Sequence, residues 1–353
     1  MHLPLDRFAL AGMPLSVQPW GSGHINQTYR LTTDAGRIYL LQQINHHVFR
    51  DVAGLMANIE AVTGYLRART DDPRRALNPI PTKEGALYCE SNGDYWRVYD
   101  FVRDAISIDR PDTPEDFARS ATAFGQFQRQ LADFPAHTLK ETIPGFHDTP
   151  RRYRALHEAI DRDAMGRAAS ARAEIDFALA REGEADAMLS MQRAGRLPLR
   201  VTHNDTKLNN VLFDAITREP VCVIDLDTVM PGLVGNDFGD SIRFGASTAA
   251  EDERDLTRVK LSLPMYDAYA KAFLAACGDT LTPAEIETLP LGAKLMTLEC
   301  GVRFLTDYLE GDAYFRVHRE GQNLDRCRTQ LKLVAEMEGN WERMGVLDIP
   351  GIR

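Results

Sequence analysis

The sequence predicts an α+β protein with a small, strand-rich N-terminal part and a larger, mainly helical C-terminal part. Runs of β-forming residues separated by hairpin turns dominate the first hundred positions. After residue 102, apolar residues recur at helical intervals and prolines punctuate the connections. A length of 353 residues suits two domains or one large one. We therefore expect two domains, residues 1–102 and 103–353.

The composition is that of a folded globular enzyme. The 51 acidic residues outnumber the 41 basic ones, and the net charge of −10 disfavours a general nucleic-acid binder, which needs a basic surface. No window approaches about 18 uninterrupted apolar residues, and the first fifteen residues carry charges, so neither a membrane span nor a signal peptide is expected. Scattered cysteines without a CxxC pair indicate reduced thiols in a cytoplasmic protein.

Two hairpins and one helix are predicted in the first part. The runs Thr28–Thr32 and Arg37–Ile44 flank a turn that ends in Ala-Gly, and Leu87–Glu90 and Tyr95–Val102 flank an Asn-Gly turn. Between the hairpins, apolar residues repeat at three- and four-residue steps over Phe49–Leu66, which predicts a helix.

The second part is predicted to be helical apart from one pair of short strands. The expected helices are Phe117–Leu131, Arg151–Met165, Ala171–Arg193, Leu263–Ala276, Pro283–Leu309, with Pro290 as a candidate break, and Leu324–Met344. The expected strands are Val211–Asp214 and Val221–Asp227.

The most informative segment is a polar motif, His-x-Asp-x-Lys-x-x-Asn, formed by His203, Asp205, Lys207 and Asn210. Phosphoryl transfer from ATP needs a carboxylate to orient and deprotonate an alcohol, oxygen ligands for Mg²⁺, and a cation near the moving phosphate. Asp205 supplies the carboxylate and Lys207 the cation. Asn210 supplies an oxygen ligand, as does Asp225 at the end of the following strand. The spacing matches the catalytic loop and metal-binding Asp of protein kinases.

The alternative interpretation is a polar surface loop followed by an ordinary strand, because single Asp and Asn residues in loops are usually turn formers. Four motif positions at fixed spacing, with Asp225 as a fifth at the end of the following apolar strand, favour the catalytic interpretation.

Four segments, residues 21–29, 203–213, 224–232 and 301–308, resemble the N-acetylhexosamine 1-kinases within the aminoglycoside and choline phosphotransferase superfamily. The resemblance extends over essentially the whole chain. Those enzymes phosphorylate the anomeric hydroxyl of N-acetylglucosamine and N-acetylgalactosamine. The resemblance implies a two-lobed, protein-kinase-like fold that binds ATP and Mg²⁺ in the cleft between the lobes.

The resemblance also implies residue roles on the nucleotide side. Asp205 becomes the catalytic base, with Asn210 and Asp225 as magnesium ligands. Asp227 is a weaker metal candidate, because a strand would place it on the same face as Asp225. The segment 99–103, which includes Tyr99 and Phe101, becomes the hinge that meets the adenine.

The glycine-rich turn is weighed separately. Backbone N–H groups around Gly21 and Gly23 could approach phosphates, although an ordinary hairpin turn would also explain them. His24 could reach the sugar or lie exposed to solvent. One departure concerns Gln42, which stands where kinases place a phosphate-binding Lys. Its helix partner would be Glu60, with which a neutral amide forms no ion pair.

On the substrate side, the candidates are Arg243, Arg303 and Tyr314. Arg243 faces either the acceptor or a nearby acid. Arg303 forms either a simple ion pair with Asp307, four residues on, or a sugar contact as the resemblance implies. The acids of the segment that follows the strand, Asp237 and Asp240, are expected to brace the polar loop by hydrogen bonds.

Two alternative functions stay open. The first is a kinase of another small alcohol, such as an aminoglycoside, choline or another sugar. Cationic acceptors favour an acidic pocket, so Arg303 argues mildly for a neutral sugar. The second is a catalytically silent nucleotide- or sugar-binding protein, suggested only by the missing Lys at Gln42. The expected partners are a small-molecule sugar and a nucleotide.

Overall fold

The structure, a computed structural model, describes residues 3–21 and 25–345. The strands are β1 (Pro14–Pro19), β2 (Gln27–Thr33), β3 (Ile38–Ile44), β4 (Pro79–Ile80), β5 (Cys89–Ser91), β6 (Asp94–Asp100), β7 (Ala105–Ser107), β8 (Arg200–Thr202), β9 (Val211–Asp214), β10 (Pro220–Val223) and β11 (Met230–Gly232). The helices are α1 (Val52–Arg67), α2 (Pro114–Gln130), α3 (Thr149–Arg162), α4 (Arg172–Leu179), α5 (Ala187–Arg193), α6 (Val234–Gly245), α7 (Leu263–Cys277), α8 (Pro283–Leu309), α9 (Gln322–Gly339) and α10 (Trp341–Gly345).

The predicted fold class is confirmed, because antiparallel strands dominate the N-terminal part and helices the C-terminal part. The main sheet has the order β1-β2-β3-β6-β4, and β5 pairs with β6 at the Asn92-Gly93 turn, where both residues have positive φ. No helix in the described residues is both long and apolar enough to cross a membrane.

The two faces of the main sheet carry different residues, as the two-residue period of a strand requires. One face packs a small core around Leu41, Trp96 and Val98. The other face carries a row of three directly paired residues, Thr28 on β2, Gln42 on β3 and Arg97 on β6. This second face is the one that faces α1 and the C-terminal part.

Helix α1 joins the two parts through a shared apolar core. Its buried face includes Leu55, Ile59 and Val62. The same cluster contains Tyr99 from the sheet and, from the C-terminal part, Phe127 on α2 together with residues of β10 and the turn that follows it. The predicted helix over Phe49–Leu66 is therefore confirmed, and it lies between the sheet and the C-terminal part.

Several predicted elements differ from the observed ones in where they break or end. The predicted helix over 171–193 is broken into α4, a short 3₁₀ turn and α5, and the helix over 324–344 is divided at Asn340 into α9 and α10. The predicted strand over 221–227 ends at Val223, because Asp225 adopts a left-handed conformation with φ 59°. Helix α8 continues through Pro290, which is buried in its interior, without a break.

Helices α6 and α8 cross at glycines that allow their backbones to touch. A Cβ placed on Gly239 would lie 2.4 Å from the carbonyl oxygen of Gly292, and one placed on Gly292 would lie 2.3 Å from that of Gly235. Since α6 carries the acids that follow the polar motif, this contact fixes their position relative to α8.

The crossing can be tested with two helical glycines. Gly239→Ala forces a methyl group into the Gly292 backbone and is expected to lower the free energy of unfolding by about 1–3 kcal/mol. Gly64→Ala, on an exposed site of α1 with no atom within 4 Å of the added Cβ, is expected to raise it by up to about 1 kcal/mol. Urea denaturation measures both, and an unchanged Gly239→Ala protein would contradict the close crossing.

Candidate active site

The polar motif forms a loop between β8 and a 3₁₀ turn, Leu208–Asn210. His203 at its start is fully buried, and its Nε2 lies 2.8 Å from the carbonyl oxygen of Ile224. Phe124 and Phe127 hold the imidazole edge to face. The carbonyl requires the Nε2 nitrogen to carry the proton, which leaves Nδ1 to accept from the Asp205 amide at 3.3 Å. His203 therefore acts as a structural anchor of the loop.

Two carboxylates on α6 brace the loop, as predicted. Asp237 accepts hydrogen bonds from the backbone amides of His203 and Asn204, at 2.9 and 2.8 Å, and from Gln128. Asp240 accepts from the amide of Thr206 at 2.9 Å. Burial raises the pKa of Asp237, against the opposing effect of these donors. The buried backbone donors of an irregular loop are thus satisfied by side chains.

Asp205 and Lys207 are half-buried and lie together with the buried Asn210. The Lys207 Nζ is 2.8 Å from Asp205 Oδ1, and the Asn210 amide donates to Asp205 Oδ2 at 3.0 Å. Burial alone would lower the pKa of Lys207, but the carboxylates of Asp205 and Asp240 outweigh it and raise the pKa, so the lysine stays charged. One carboxylate oxygen of Asp205 faces a cation and the other an amide.

Asp225 lies near this group, close enough for the charge of Asp205 to act on its carboxylate. Its side chain is exposed to solvent, and it accepts no hydrogen bond from any described residue. Although the residue keeps access to solvent, the protein packed around its carboxylate partly desolvates it and, with the charges of Asp227 and Asp205, raises its pKa to about 7. A carboxylate free of protein donors and close to two others is the kind of group that a divalent cation stabilises.

Asp227 occupies a different environment from Asp225. It is buried, and its Oδ1 lies 2.6 Å from Nη1 of Arg97 in an ion pair that lacks hydrogen-bond alignment. Its Oδ2 accepts from Asn26 at 2.6 Å. The two acids do not share a strand face as expected, since the strand ends at Val223. Both oxygens of Asp227 are already held by the N-terminal part.

Gln42 takes part in the same network. Its amide donates to Thr28 at 3.0 Å, and its Oε1 accepts from Nε of Arg97 at 3.0 Å. Glu60 is exposed, with no side-chain hydrogen bond or ion pair in the described residues, and Met56 of α1 instead lies 3.9 Å from the guanidinium. The sequence did not single out Arg97, because its place opposite Gln42 depends on the register between the two hairpins, which only the structure gives.

The other candidates on the nucleotide side differ in backbone conformation and in backbone hydrogen bonding. Gly21 has φ 78°, a conformation that favours glycine, while Gly23 and His24 lie outside the described residues. Tyr99 is buried, and its backbone pairs with both β3 and β4. The Phe101 amide donates to Ile38, and the next residue, Val102, has no backbone hydrogen bond within the described chain.

Arg303 and Tyr314 lie side by side at the far end of the site. The Arg303 guanidinium is 5.4–5.9 Å from the ring centres of Phe146, Tyr314 and Phe315. It forms no hydrogen bond or ion pair with a described residue. Asp307 is not its partner, because that carboxylate accepts from the amides of Tyr314 and Phe315. Tyr314 itself is 71% exposed.

Arg243 is fully engaged within the protein. It bonds Asp240 at 2.8 Å and Glu251 at 3.0 Å. Of the two expectations for Arg243, the structure therefore places it against nearby acids.

A buried His147–Glu299 pair near Arg303 was not found from the sequence. The Nδ1 of His147 is 3.0 Å from Glu299, which also accepts from Thr149 at 2.7 Å. Burial alone would raise the pKa of Glu299, but His147, Arg303 and Thr149 together hold it below its usual value. These residues lie far apart in the sequence and belong to no motif, so nothing in the pattern links them.

The residues that could hold a metal are few. Asn210 uses its amide nitrogen on Asp205, which leaves Oδ1 without a partner among the described residues, and Asp225 is free. No set of three or more His, Cys, Asp and Glu side chains in the described chain is arranged to hold an ion. The chemistry of these two oxygen donors suits a hard cation that takes its remaining ligands from elsewhere, as Mg²⁺ does from phosphates and water.

An antiparallel sheet above a braced polar loop and a helical second part define a kinase-like protein. The sequence pattern described as the phosphotransferase enzyme family matches residues 16–276, and the chain belongs to that family.

Solved structures share the fold at low sequence identity. An aminoglycoside phosphotransferase from Alicyclobacillus acidocaldarius is 15% identical with a TM-score of 0.61, covering 96% of this chain and 95% of that one. A microcompartment-associated aminopropanol kinase is 16% identical with a TM-score of 0.56, covering 97% of both chains. An amicoumacin kinase, solved with AMP-PNP, Ca²⁺ and Ami, is 14% identical with a TM-score of 0.61, covering 90% of this chain and 87% of that one.

Because Asp237 braces the loop, Asp237→Asn is expected to lower the stability of the protein substantially. The new amide would face a buried backbone N–H, and each donor left unsatisfied costs about 1–3 kcal/mol, so we expect the free energy of unfolding to fall by at least about 2 kcal/mol. The matched control is Asp161→Asn on α3, an exposed aspartate with no side-chain contact in the described residues, which is expected to change stability by less than about 0.5 kcal/mol. Equal urea midpoints for the two variants would contradict the bracing.

Proposed function

We propose that the protein is an ATP-dependent kinase that phosphorylates the anomeric hydroxyl of an N-acetylhexosamine, N-acetylglucosamine or N-acetylgalactosamine. The observation that carries the proposal is the pairing of Asp205 with Lys207, near the free carboxylate of Asp225, in a member of the phosphotransferase enzyme family. A similarly folded amicoumacin kinase binds AMP-PNP and a divalent cation, which supports a nucleotide and a metal here.

In the proposed reaction, ATP lies between an N-terminal lobe, residues 1–102, and a C-terminal lobe, residues 103–353. The free backbone of Val102 would meet the adenine, beside Phe101 and Tyr99. The turn that contains Gly21, Gly23 and His24 would approach the phosphates and the sugar.

Asp205 would orient the acceptor hydroxyl and take its proton as the oxygen attacks the γ-phosphorus and the bond to ADP breaks. Lys207, held charged by Asp205, would lie near the moving phosphoryl group. Asn210 and Asp225 would hold Mg²⁺, which offsets negative charge on the phosphates. Asp227, the third metal candidate, stays with Arg97 in this proposal.

The acceptor side supports a neutral sugar over a cationic alcohol. Buried acids in this region already have cationic or hydrogen-bonding partners, Glu299 with His147 and Asp240 with Arg243. The unpaired Arg303, beside the exposed ring of Tyr314, can donate to an acceptor such as an acetamido carbonyl. Arg243 would act here only through Asp240.

A kinase of another small alcohol remains the second candidate, because similarly folded proteins are aminoglycoside and aminopropanol kinases. A non-catalytic binding protein, suggested by the absence of a Lys at Gln42, is disfavoured by the assembled Asp205, Lys207 and Asp225.

A substrate panel separates these candidates. Purified protein with ATP and Mg²⁺ is assayed on N-acetylglucosamine, N-acetylgalactosamine, glucosamine, glucose, choline, aminopropanol and an aminoglycoside, with the phosphorylated atom located by NMR. We expect phosphate at the anomeric oxygen of an N-acetylhexosamine and little turnover of glucosamine, whose ammonium group would face Arg303. Phosphate at C6, or activity confined to amino alcohols, would overturn the anomeric-kinase proposal.

The role of Asp205 gives a separate prediction. Asp205→Asn keeps the size of the side chain but replaces one acceptor oxygen with a donor and cannot take a proton, so kcat should fall by about 10²–10⁴-fold. The dissociation constant for Mg·AMP-PNP, measured by calorimetry, should change little because the substitution leaves Asn210 and Asp225 in place. Near-normal turnover of Asp205→Asn would show that another group is the base.

A further inference from the structure

We propose that Arg97 is a positioning residue of the active site, which takes over from β6 the positive charge that kinases carry as a Lys on the neighbouring strand. The inference deepens the proposed function and rests on it. Arg97 lies directly opposite Gln42 in the sheet register, and its side chain is 2% exposed. A buried guanidinium must be paired, and the pairing here points across the cleft.

Arg97 is the centre of a chain of contacts that runs from the sheet to the loop after β10. Its Nε donates to Gln42 at 3.0 Å, and Gln42 in turn donates to Thr28 at 3.0 Å. Its Nη1 lies 2.6 Å from Asp227, whose other oxygen accepts from Asn26. Asn26 also accepts from the backbone amide of Asn45 at 2.9 Å.

Asn26 just before β2, the strands β2, β3 and β6, and the loop that carries Asp225 are thereby connected by side chains. Asp227 is only two residues from Asp225. By holding Asp227 from the sheet side, Arg97 fixes the left-handed turn at Asp225 and leaves the Asp225 carboxylate free to face the cleft.

This geometry also explains why residue 42 is a glutamine. Arg97 needs an acceptor for its Nε proton, and Gln42 Oε1 supplies one. A lysine at position 42 would donate where an acceptor is required and would bring a second positive charge against the guanidinium. Helix α1 is consistent with this arrangement, because it presents the neutral Met56 to Arg97 and leaves Glu60 in solvent. A Gln–Arg–Asp arrangement thus replaces a Lys–Glu pair.

The simpler alternative is that Arg97 only stabilises the fold, as many buried ion pairs do. The two interpretations differ in what a charge at position 42 does. If Arg97 serves the site, a lysine at position 42 weakens nucleotide binding while Arg97 is present and restores it when Arg97 has been replaced. If Arg97 is only structural, the two contacting residues still couple in stability, but the nucleotide affinity of the folded variants stays at the wild-type value.

The test uses Arg97→Met, Gln42→Lys and the double variant, with Arg181→Met as a matched control. Arg181, which follows α4, forms a bidentate ion pair with Glu338 on α9, away from the site. Calorimetry measures the dissociation constant for Mg·AMP-PNP, and hydrogen exchange measures protection of amides 224–229 without nucleotide.

We expect each single variant to weaken Mg·AMP-PNP binding by about tenfold or more, the size of one charge-assisted hydrogen bond, and to speed exchange in 224–229. The double variant should recover to within about threefold of wild type, since one charge again faces Asp227. Arg181→Met should leave both readouts at wild-type values.

Three outcomes overturn the proposal: a folded Arg97→Met protein that behaves like Arg181→Met, a Gln42→Lys protein with normal affinity, or a double variant no better than Arg97→Met. If Arg97→Met does not fold, Arg97→Met/Asp227→Asn, which removes both charges, replaces it, and failure of that variant to fold assigns Arg97 to folding alone. If the wild-type protein binds no Mg·AMP-PNP, the proposed function is contradicted instead. Hydrogen exchange in residues 224–229 still tests whether Arg97 holds that loop.

Discussion

The site depends on how the buried backbone donors of the polar loop are satisfied. The loop is neither helix nor strand, so its amides have no regular partners, and leaving them unpaired in the interior would be costly. Asp237 and Asp240 supply the acceptors from α6. Helix α6 is in turn fixed against α8 by touching glycines. The positions of Asp205 and Lys207 are therefore set by a helix crossing that neither of them touches.

The acids of the site divide into those that the protein neutralises and those that it leaves available. Asp227 and Asp240 are buried against arginines, and Asp205 faces a lysine. Asp225 alone of these four has no cationic partner in the described chain, and it is the one whose pKa is raised to about 7. Such an arrangement leaves one carboxylate available to a cationic ligand. The paired cations offset the negative charges of the other three acids, which limits the electrostatic repulsion among the four.

The sequence predicts the fold class, both N-terminal hairpins and the polar loop because each depends on local signals: an Asn-Gly turn, a helical period, a fixed motif spacing. It fails at Asp225, where strand-like neighbours conceal a left-handed residue, and at α6, whose glycines lower helix propensity but serve packing. Arg97 and the His147–Glu299 pair were missed because their partners are 130 and 152 positions away, and no local pattern records such contacts.

The apolar core that α1 shares with both parts limits how far the N-terminal and C-terminal parts can move relative to each other. Leu55, Ile59 and Val62 belong to one buried cluster with Tyr99 of the sheet and Phe127 of the helical part. Separating the two parts widely would expose these apolar surfaces to water. The free-energy cost would be roughly 25 cal/mol for every Å² of apolar surface exposed. Relative movement of the two parts is therefore expected to be limited to small shifts of the outer strands, with α1 staying packed against both parts.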